Sequence, residues 1–302
     1  MNSYQLGIDI GGSKTQALLA RDGAVIADVR GPSANPASVG LTAAGRRLRT
    51  LIADVSAPDI DLDTISSVCA GAAGVDTPEQ EARIAAVLTA LLPHADVTVV
   101  HDTELLLAAA GTPTGIAVIA GTGSVAWGRA PDGRHARAGG WGYLLGDDGS
   151  GYGIARAAVR HALGRLDAGL GPDPLSHHLA EACGVERPGL LLDQFYAVGE
   201  RRYWAERSRT VCELAEAGDP AAAGIVAGAA GALAALVERV SLRLAIAGPV
   251  ILAGGVLVHQ PLVRRLLAER LAGIGVTDLR LLDVAPALGA VRLAEARVPL
   301  HL

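Results

Sequence analysis

One pattern, an apolar strand followed by a glycine-rich turn and a second apolar strand, occurs twice in this chain. Residues 10–23 read IGGSKTQALLARDG and residues 120–133 read AGTGSVAWGRAPDG, and the two superpose without a gap at an offset of 110 residues. Both segments close on an Asp-Gly turn. Such self-similarity is typical of a duplicated supersecondary unit. The sequence therefore predicts two similar α/β halves with a cleft between them.

Composition narrows the class of protein further. The 302 residues suffice for one large domain or for two of about 150 residues each. Half of the residues are hydrophobic and 19% are charged, which supports a sizeable core and excludes a disordered or collagen-like chain. Lys plus Arg is 26 and Asp plus Glu is 31, so the net charge is −5. This charge balance does not require a cationic face, so it favours a protein that binds small molecules over one that binds nucleic acid.

The cysteines and the N-terminus bear on the compartment. The three cysteines, Cys69, Cys183 and Cys212, form no CxxC pair, which argues against a metal cluster and against a secreted disulfide framework. The first twenty residues contain Asp9 and lack a basic segment followed by a cleavable apolar stretch. We therefore expect a cytoplasmic protein with no membrane partner.

The first glycine turn offers several groups that bind phosphate. Residues 11–15 read GGSKT. Glycines let backbone N–H groups approach an anion, and the hydroxyl and ammonium groups add further donors. Asp9 precedes the turn on its strand, where a carboxylate beside a phosphate would hold a hydrated Mg²⁺. The spacing is not that of a Walker A loop, which would need a lysine where Ser13 stands.

Two later turns complement the first. Residues 121–124 read GTGS and provide similar donors without the acid or the lysine. A dinucleotide fingerprint fails there because residue 126 is Ala126. Two such turns facing one cleft would bind a polyphosphate from both sides. Gly254 and Gly255 follow a buried apolar strand, and a turn of that kind lets a flat ring or a phosphate approach the backbone.

Asp102 lies where the apolar strand VTVV ends and a helix begins. This position is a common one for ligand-facing residues in α/β sheets, although it is equally suited to a helix N-cap. As a catalytic residue, Asp102 would accept a proton from a substrate hydroxyl that attacks phosphorus. A carboxylate with an ordinary pKa of about 3.9 is ionised at neutral pH, so we expect it to need no special tuning.

The segment richest in candidate site residues is 139–151, which reads GGWGYLLGDDGSG. Its adjacent acids, Asp147 and Asp148, repel each other unless cations or hydroxyl donors are bound. A pyranose offers such hydroxyls, and its apolar ring face suits Trp141. By contrast, residues 190–217 favour one long helix whose segment ERRYWAERSR indicates a solvent-exposed, mixed-charge face.

In this order, GIDIGGSKT, HDT, IAGTGS, AGGWGYLLGDDGSG and ILAGGV resemble the N-acetylglucosamine kinase family of the actin/hexokinase/Hsp70 ATPase superfamily. Bacterial members of that family are often grouped with the ATPase subunits of benzoyl-CoA reductase. The resemblance implies an α/β fold of two ribonuclease-H-like (actin/hexokinase-like) domains around an interdomain cleft. It implies a first domain of residues 1–113 plus 286–302 and a second of residues 114–285.

The resemblance also implies an activity, namely ATP-dependent phosphorylation of an amino sugar, N-acetylglucosamine at its 6-hydroxyl, by a homodimer that uses Mg²⁺. Asp102 would be the catalytic base and Asp9 would hold Mg²⁺ through water. The implied ATP-phosphate contacts are Gly11, Gly12, Ser13, Lys14, Thr15, Gly121, Thr122 and Gly123, the adenosine contacts are Gly254 and Gly255, and the sugar contacts are Asn35, Asp102, Gly140, Trp141, Asp147 and Asp148.

Three alternatives stay open at this level. Val125 and Ala73 stand where the family has polar sugar contacts, so glucosamine or N-acetylmuramic acid could be the substrate. ATPase activator subunits of acyl-CoA reductases and dehydratases share the fold and drive electron transfer, but they carry a cysteine before the GTG turn, where this chain reads VIAG. A non-catalytic sugar sensor or actin-like scaffold is the third, and the intact acids Asp9, Asp102 and Asp147 argue against it.

Overall fold

The computed structural model describes residues 4–56, 60–75 and 77–296. The chain divides into two compact units, the first formed by Met1–Pro113 with Leu282–Leu302 and the second by Thr114–Leu281. Residues 297–302, which the sequence assigns to the first domain, lie outside the described residues.

The first unit is built on a five-stranded mixed sheet. Its strands are β1 (Tyr4–Ile10), β2 (Lys14–Arg21), β3 (Ala24–Pro32), β4 (Ile65–Ala72) and β5 (Asp96–His101). They lie in the order β3-β2-β1-β4-β5, with β1 antiparallel to β2 and parallel to β4, and β4 parallel to β5. The carboxyl ends of β1, β4 and β5 therefore meet at one edge of the sheet.

Helices cover both faces of this sheet. They are α1 (Pro36–Val39), α2 (Leu41–Ser56), α3 (Pro78–Leu91), α4 (Asp102–Ala109) and the C-terminal helix (Pro286–Glu295). Helix α2 buries an apolar stripe that includes Leu48 and Ile52, with arginines on its other side. Helix α3 begins with a capping box between Thr77 and Gln80, which satisfies two otherwise unpaired N–H groups.

The C-terminal helix packs directly on β1 and α4 through glycines. A Cβ atom on Gly7 would lie 2.5 Å from the backbone nitrogen of Val291, and one on Gly289 would lie 2.0 Å from the carbonyl oxygen of Leu105. The backbones approach so closely that no side chain fits at either position. Arg292 of this helix also donates hydrogen bonds to the carbonyl oxygens at the end of α4.

The second unit repeats this arrangement of strands. Its strands are β6 (Gly115–Ala120), β7 (Ser124–Arg129), β8 (His135–Gly139), β9 (Val250–Ala253) and β10 (Leu279–Leu281). The order is β8-β7-β6-β9-β10, again with one antiparallel hairpin on one side of the first strand and parallel strands on the other. The predicted pair of similar α/β units is therefore confirmed.

The two glycine turns differ by one residue, which the gapless superposition of the two segments missed. In the first unit Ile10 pairs with Thr15, so four residues form the turn. In the second unit Ala120 pairs with Ser124, so three residues form it. After the turn the two sequences are therefore out of structural register by one residue. A gapless alignment cannot detect this, because the flanking strands are apolar in either register.

The helices of the second unit are α5 (Gly151–Asp167), α6 (Pro174–Ala182), α7 (Leu191–Ala197), α8 (Arg201–Glu216), α9 (Pro220–Leu244), α10 (Gly255–His259) and α11 (Pro261–Ala272). Helix α9 is long and apolar enough to cross a membrane by length and composition. Its buried residues, such as Leu233, Val237 and Val240, belong to the core cluster of this unit, and the helix packs on β6, β7 and β8. This packing accounts for its composition.

The expectation of one continuous helix over residues 190–217 is wrong. The chain leaves helical geometry at Val198, whose backbone is extended, and resumes it at Arg201. The indole N–H of Trp204 donates a hydrogen bond to the carbonyl oxygen of Val198. Because Trp204 is fully buried, this bond fixes the break between α7 and α8.

Candidate active site

Two carboxylates lie at the carboxyl edge of the first sheet. Asp9, near the end of β1, pairs with Gly71 of β4, and His101, at the end of β5, pairs with Ala72 of β4. Asp102 follows immediately as the first residue of α4. The open edge beyond the carboxyl ends of parallel strands is where α/β sheets bind ligands. The topology thus brings together two residues that are 93 positions apart in the chain.

Both carboxyl groups are largely buried, and this changes their acidity. Burial and the nearby charge of Asp102 raise the pKa of Asp9 to about 7, although the ammonium group of Lys14 opposes the shift. Burial also raises the pKa of Asp102, against the opposing effects of His101 and of backbone N–H groups. The pKa of Asp102 is therefore not the ordinary one that the sequence alone led us to expect. Desolvation disfavours the charged form of a carboxyl group, and an adjacent positive charge restores it.

Asp102 does not cap its helix. The N-cap of α4 is His101, whose Nδ1 accepts a hydrogen bond from the backbone N–H of Thr103. Oδ1 of Asp102 is buried and accepts no hydrogen bond from any described residue. A buried carboxylate oxygen without a donor is costly, and such groups occur where a ligand supplies the missing partner. The N-cap explanation of Asp102 is thus not what the structure shows.

The first glycine turn presents an exposed surface. Gly12, Ser13 and Lys14 are exposed, and the backbone N–H of Gly11 donates to the carbonyl oxygen of Lys14 at 3.0 Å, which closes the turn. Thr15 is different, because it is buried and its Oγ1 accepts a hydrogen bond from the backbone N–H of Ala34 at 2.7 Å. The hydroxyl of Thr15 thus holds the adjacent loop, and its predicted contact with phosphate stays a prediction.

Asn35 belongs to that loop and is also buried. Its Oδ1 accepts from the backbone N–H of Ala37 at 2.9 Å and caps α1, while its Nδ2 donates to the carbonyl oxygen of Ala73 at 2.8 Å. The side chain is therefore held in one orientation between two segments of the first unit. Its predicted role as a sugar contact stays a prediction.

In the second unit the acidic segment is bound to the second glycine turn. Oδ1 of Asp147 accepts from the backbone N–H of Ser124 at 3.0 Å, and the N–H of Gly151 donates to the carbonyl oxygen of Gly121 at 2.8 Å. Asp147 has a positive φ of 62°, and its carbonyl oxygen accepts from Ser150, the N-cap of α5. Positive φ is uncommon outside glycine, although aspartate tolerates it better than most residues. Hydrogen bonds thus join two predicted site segments, the second glycine turn and the acidic segment.

The two adjacent acids have different surroundings. Asp147 is buried, and burial raises the pKa of its carboxyl group. Asp148 is exposed and its Oδ1 accepts from the guanidinium of Arg156 at 2.7 Å. Trp141 is 66% exposed, with the guanidinium of Arg137 4.8 Å from its ring centroid. An exposed indole beside polar groups is suited to contact the apolar face of a sugar ring.

A cavity of about 560 Å³ in the second unit brings together the second glycine turn and the turn after β9. Gly121, Thr122 and Gly255 line it, and this size is typical of sites for small molecules. Gly254 permits the turn, because its φ is +90° and a Cβ atom there would lie 2.5 Å from the carbonyl oxygen of Ala120. The two motifs predicted to contact ATP in the second half are therefore neighbours.

Helix α8 supplies the other wall of this cavity, with Arg202, Glu206 and Arg209, and His259 lies at the end of α10. Sequence reasoning predicted an exposed, mixed-charge face for this segment and missed that the face borders a cavity. The available signal was spacing, since these three residues recur at intervals of four and three along one side of a helix. Small residues between them, Ala205 and Ser208, leave room for a ligand.

The repeated five-stranded unit with its glycine turn is the architecture of a two-domain, actin/hexokinase-like ATPase fold. Residues 6–294 match the BadF/BadG/BcrA/BcrD ATPase family, and the chain belongs to this family.

Two relatives carry the names of sugar kinases. The chain is 39% identical to the N-acetylmuramic acid/N-acetylglucosamine kinase of Clostridium acetobutylicum over 168 residues, a match that spans 54% of this chain and 55% of that one. It is 29% identical to the N-acetyl-D-glucosamine kinase of Dictyostelium discoideum over 310 aligned positions, or 96% of this chain and 97% of that one.

Solved structures share the fold. A candidate N-acetylglucosamine kinase from Chromobacterium violaceum matches with a TM-score of 0.76 and 22% identity, covering 97% of this chain and 99% of its own. A ROK family glucokinase from Streptomyces griseus, solved with glucose and AMPPNP, matches with a TM-score of 0.63 and 18% identity over 97% and 99% of the two chains. The predicted actin/hexokinase-like fold class is therefore confirmed.

Proposed function

We propose that this protein is an ATP-dependent kinase that phosphorylates an amino sugar. The observation that carries the proposal is the pair of buried carboxylates, Asp9 and Asp102, at the carboxyl edge of the first sheet beside the exposed phosphate turn. One carboxylate can hold a phosphate-bound cation, and the other can accept the proton of a hydroxyl group. Phosphoryl transfer to an alcohol requires both functions.

In the proposed reaction the sugar hydroxyl attacks the γ-phosphorus of ATP. The new P–O bond forms as the bond to the β-phosphate oxygen breaks, so that ADP leaves and the hydroxyl proton passes to the carboxylate of Asp102. The buried Oδ1 of Asp102 lacks a hydrogen-bond donor, and a sugar hydroxyl would provide one. Burial raises the pKa of Asp102, which makes the carboxylate a stronger base than an exposed aspartate.

The residues present fit Mg²⁺ with ATP. Asp9 is a buried carboxyl group whose pKa is raised to about 7, and a hydrated cation would stabilise its charged form. Asp9 would hold that cation through water, while the N–H groups of the first turn and Lys14 contact the phosphates. Bound Mg²⁺ would neutralise charge that develops on the phosphate oxygens. Gly121, Thr122 and Gly123 would contact the phosphates from the second unit, with Gly254 and Gly255 beside adenosine.

For the substrate we propose N-acetylglucosamine, phosphorylated at its 6-hydroxyl. Support comes from the two amino-sugar kinases among the relatives and from the exposed Trp141 next to the acids Asp147 and Asp148. N-acetylmuramic acid is the second candidate, because the Clostridium relative acts on both sugars by its name. Glucosamine is the third, since Val125 and Ala73 stand where the family has polar contacts to the sugar. We further propose that the enzyme is a cytoplasmic homodimer.

The test is a coupled assay of ADP release over N-acetylglucosamine, glucosamine, N-acetylmuramic acid, N-acetylmannosamine and glucose. We expect turnover with at least one N-acetylated amino sugar and dependence on Mg²⁺. Mass spectrometry and NMR of the product would identify the phosphorylated hydroxyl. Absence of turnover with all five sugars, from a folded protein that binds ATP, would contradict the proposal. Size-exclusion chromatography with light scattering tests the dimer.

A further inference from the structure

A second cavity, of about 380 Å³, lies in the first unit between β3 and α2. Three arginines line it, Arg30 from β3 and the neighbours Arg46 and Arg47 from α2. Asp54, further along the same helix α2, is the acidic residue of the lining. This volume falls in the range of sites for small molecules.

The arginine cluster is unexpected on electrostatic grounds. The whole chain carries 26 basic and 31 acidic residues, so the protein has an excess of negative charge. The lining of this cavity contains three arginines and one aspartate. Arg30 has an acidic neighbour outside the cavity, Asp28, at 3.8 Å. Like charges gathered in one concave site repel each other, and the repulsion is relieved when an anion binds.

One of the three arginines is held in place. Arg47 is half-buried, and its guanidinium donates a hydrogen bond to the carbonyl oxygen of Ser33. A guanidinium has five N–H donors, so one that is held by a single hydrogen bond can still form a bidentate contact with an anion. Arg46 and Arg30 are exposed and can move toward a ligand. The wall also contains Pro32, Ala43 and Leu51, which suit a carbon skeleton.

From this arrangement we infer that the cavity is a binding site for a small phosphate monoester, separate from the phosphate turns of the proposed active site. The arginines would bind the phosphate, and Asp54 would accept hydrogen bonds from hydroxyl groups of the attached skeleton. Arginine suits this task because its planar fork matches the geometry of phosphate oxygens.

The site is connected to the first glycine turn. Arg47 contacts the carbonyl oxygen of Ser33, and Oγ of Ser33 donates to the carbonyl oxygen of Gly11 at 2.7 Å. The same Oγ accepts from the backbone N–H of Asn35 at 3.2 Å. An anion bound to the remaining N–H groups of Arg47 would therefore act, through Ser33, on the support of the turn and of the Asn35 loop. Binding at the cavity is thereby expected to alter the affinity of the turn for ATP.

The test uses calorimetry on the full chain with saturating AMPPNP and Mg²⁺, so that the active-site turns are filled. The probes are inorganic phosphate and glucosamine 6-phosphate, with unphosphorylated glucosamine for comparison. We expect both phosphates to bind and Arg46→Gln or Arg30→Gln to weaken binding by about tenfold or more, which is 1.4 kcal/mol. Arg49→Gln is the matched control, because Arg49 is exposed on the same helix and does not line the cavity.

The two probes also separate two sources of the phosphate group. Tighter binding of glucosamine 6-phosphate indicates a phosphorylated metabolite, and equal binding indicates free phosphate; both support the site. Equal affinity of Arg46→Gln, Arg30→Gln and Arg49→Gln for both phosphates would overturn it, as would absence of phosphate binding to the wild-type protein. Hydrogen exchange is a second measurement. Glucosamine 6-phosphate should protect the backbone amides of residues 43–54 in the wild type and not in Arg46→Gln. None of these readings depends on kinase turnover.

Discussion

Nδ1 of His101 lies 3.0 Å from Oδ1 of Asp102, the residue that follows it. The same nitrogen accepts the N–H of Thr103 and lies 2.6 Å from Oγ1 of that residue. His101 opposes the effect of burial on the pKa of Asp102, so the two adjacent residues act together on the acidity of the proposed base.

Removing the proposed base should reduce turnover and leave binding largely intact. For Asp102→Asn we expect kcat to fall by about 10²–10⁴, the usual contribution of a general base. The Kd for the sugar, measured by calorimetry, should change by less than about tenfold, because asparagine keeps the shape and most hydrogen bonds. Asp96→Asn, at the exposed start of β5, the strand that leads to Asp102, is the control and should leave kcat unchanged. Near wild-type turnover of Asp102→Asn would refute the mechanism.

Asp9 should make stability depend on pH when no metal or nucleotide is bound. Its folded-state pKa, about 7, is raised above the value of 3.8 that it has when exposed, so the folded protein binds the proton more tightly than the unfolded chain. This contribution to stability is complete below about pH 4 and is lost as the pH rises to about 7, at a cost of roughly 4 kcal/mol.

Urea unfolding in EDTA at several pH values, on wild type and on Asp9→Asn, measures this contribution. The difference between the two proteins removes the effects of all other titrating groups. We expect Asp9→Asn to gain stability relative to wild type as the pH increases from 4 to 8. Parallel curves for the two proteins would show that Asp9 titrates normally.

The exposed turn of the first unit allows a clean test of phosphate binding. A Cβ atom on Gly12 would meet nothing within 4 Å, so Gly12→Val should fold normally. We expect it to weaken ATP binding by at least about tenfold, because the side chain would occupy the space of a phosphate. Gly164→Ala, at an equally open position in α5, is the control for a substituted glycine. ATP affinity equal to wild type in Gly12→Val would exclude this turn from the nucleotide site.

The two neighbouring glycines after β9 should differ in their tolerance of a side chain. Gly254→Ala should destabilise the second unit, because its φ is +90° and the new Cβ would lie 2.5 Å from the carbonyl oxygen of Ala120. Gly255→Ala meets only the ring of His259 at 4.0 Å and should fold. Thermal unfolding distinguishes the two, and calorimetry on Gly255→Ala should show weaker ATP binding. Equal melting temperatures would contradict the geometric argument.

The two adjacent acids should differ in their contribution to stability. Asp147→Ala leaves the buried N–H of Ser124 without its acceptor, which costs about 1–3 kcal/mol. Asp148→Ala removes an exposed ion pair with Arg156 and should cost less than about 1 kcal/mol. Urea unfolding measures both values. Weaker sugar binding in both variants would in addition support their predicted contacts, whereas unchanged sugar binding in Asp148→Ala would remove that residue from the site.

Local sequence features were enough to predict the duplicated unit and most of the groups around the site. Strand, glycine turn and strand are local features, because apolar runs and glycines set backbone conformation within a few residues. The same is true of the strand that ends before Asp102. These local signals also carried the resemblance that led to the family.

Which of these groups lie close together, and how their surroundings change their acidity, depends on contacts between segments that are distant in the chain. Ser13 and Thr15 both bring a hydroxyl group to the first turn, yet Ser13 is exposed, whereas Thr15 is buried and accepts a hydrogen bond from Ala34. The pKa of Asp102 depends on burial by elements distant in the chain, which no local pattern records. The cavities beside α8 and α2 likewise require two elements at a fixed distance. Local sequence sets conformation, whereas burial, charge and cavity shape are properties of long-range packing.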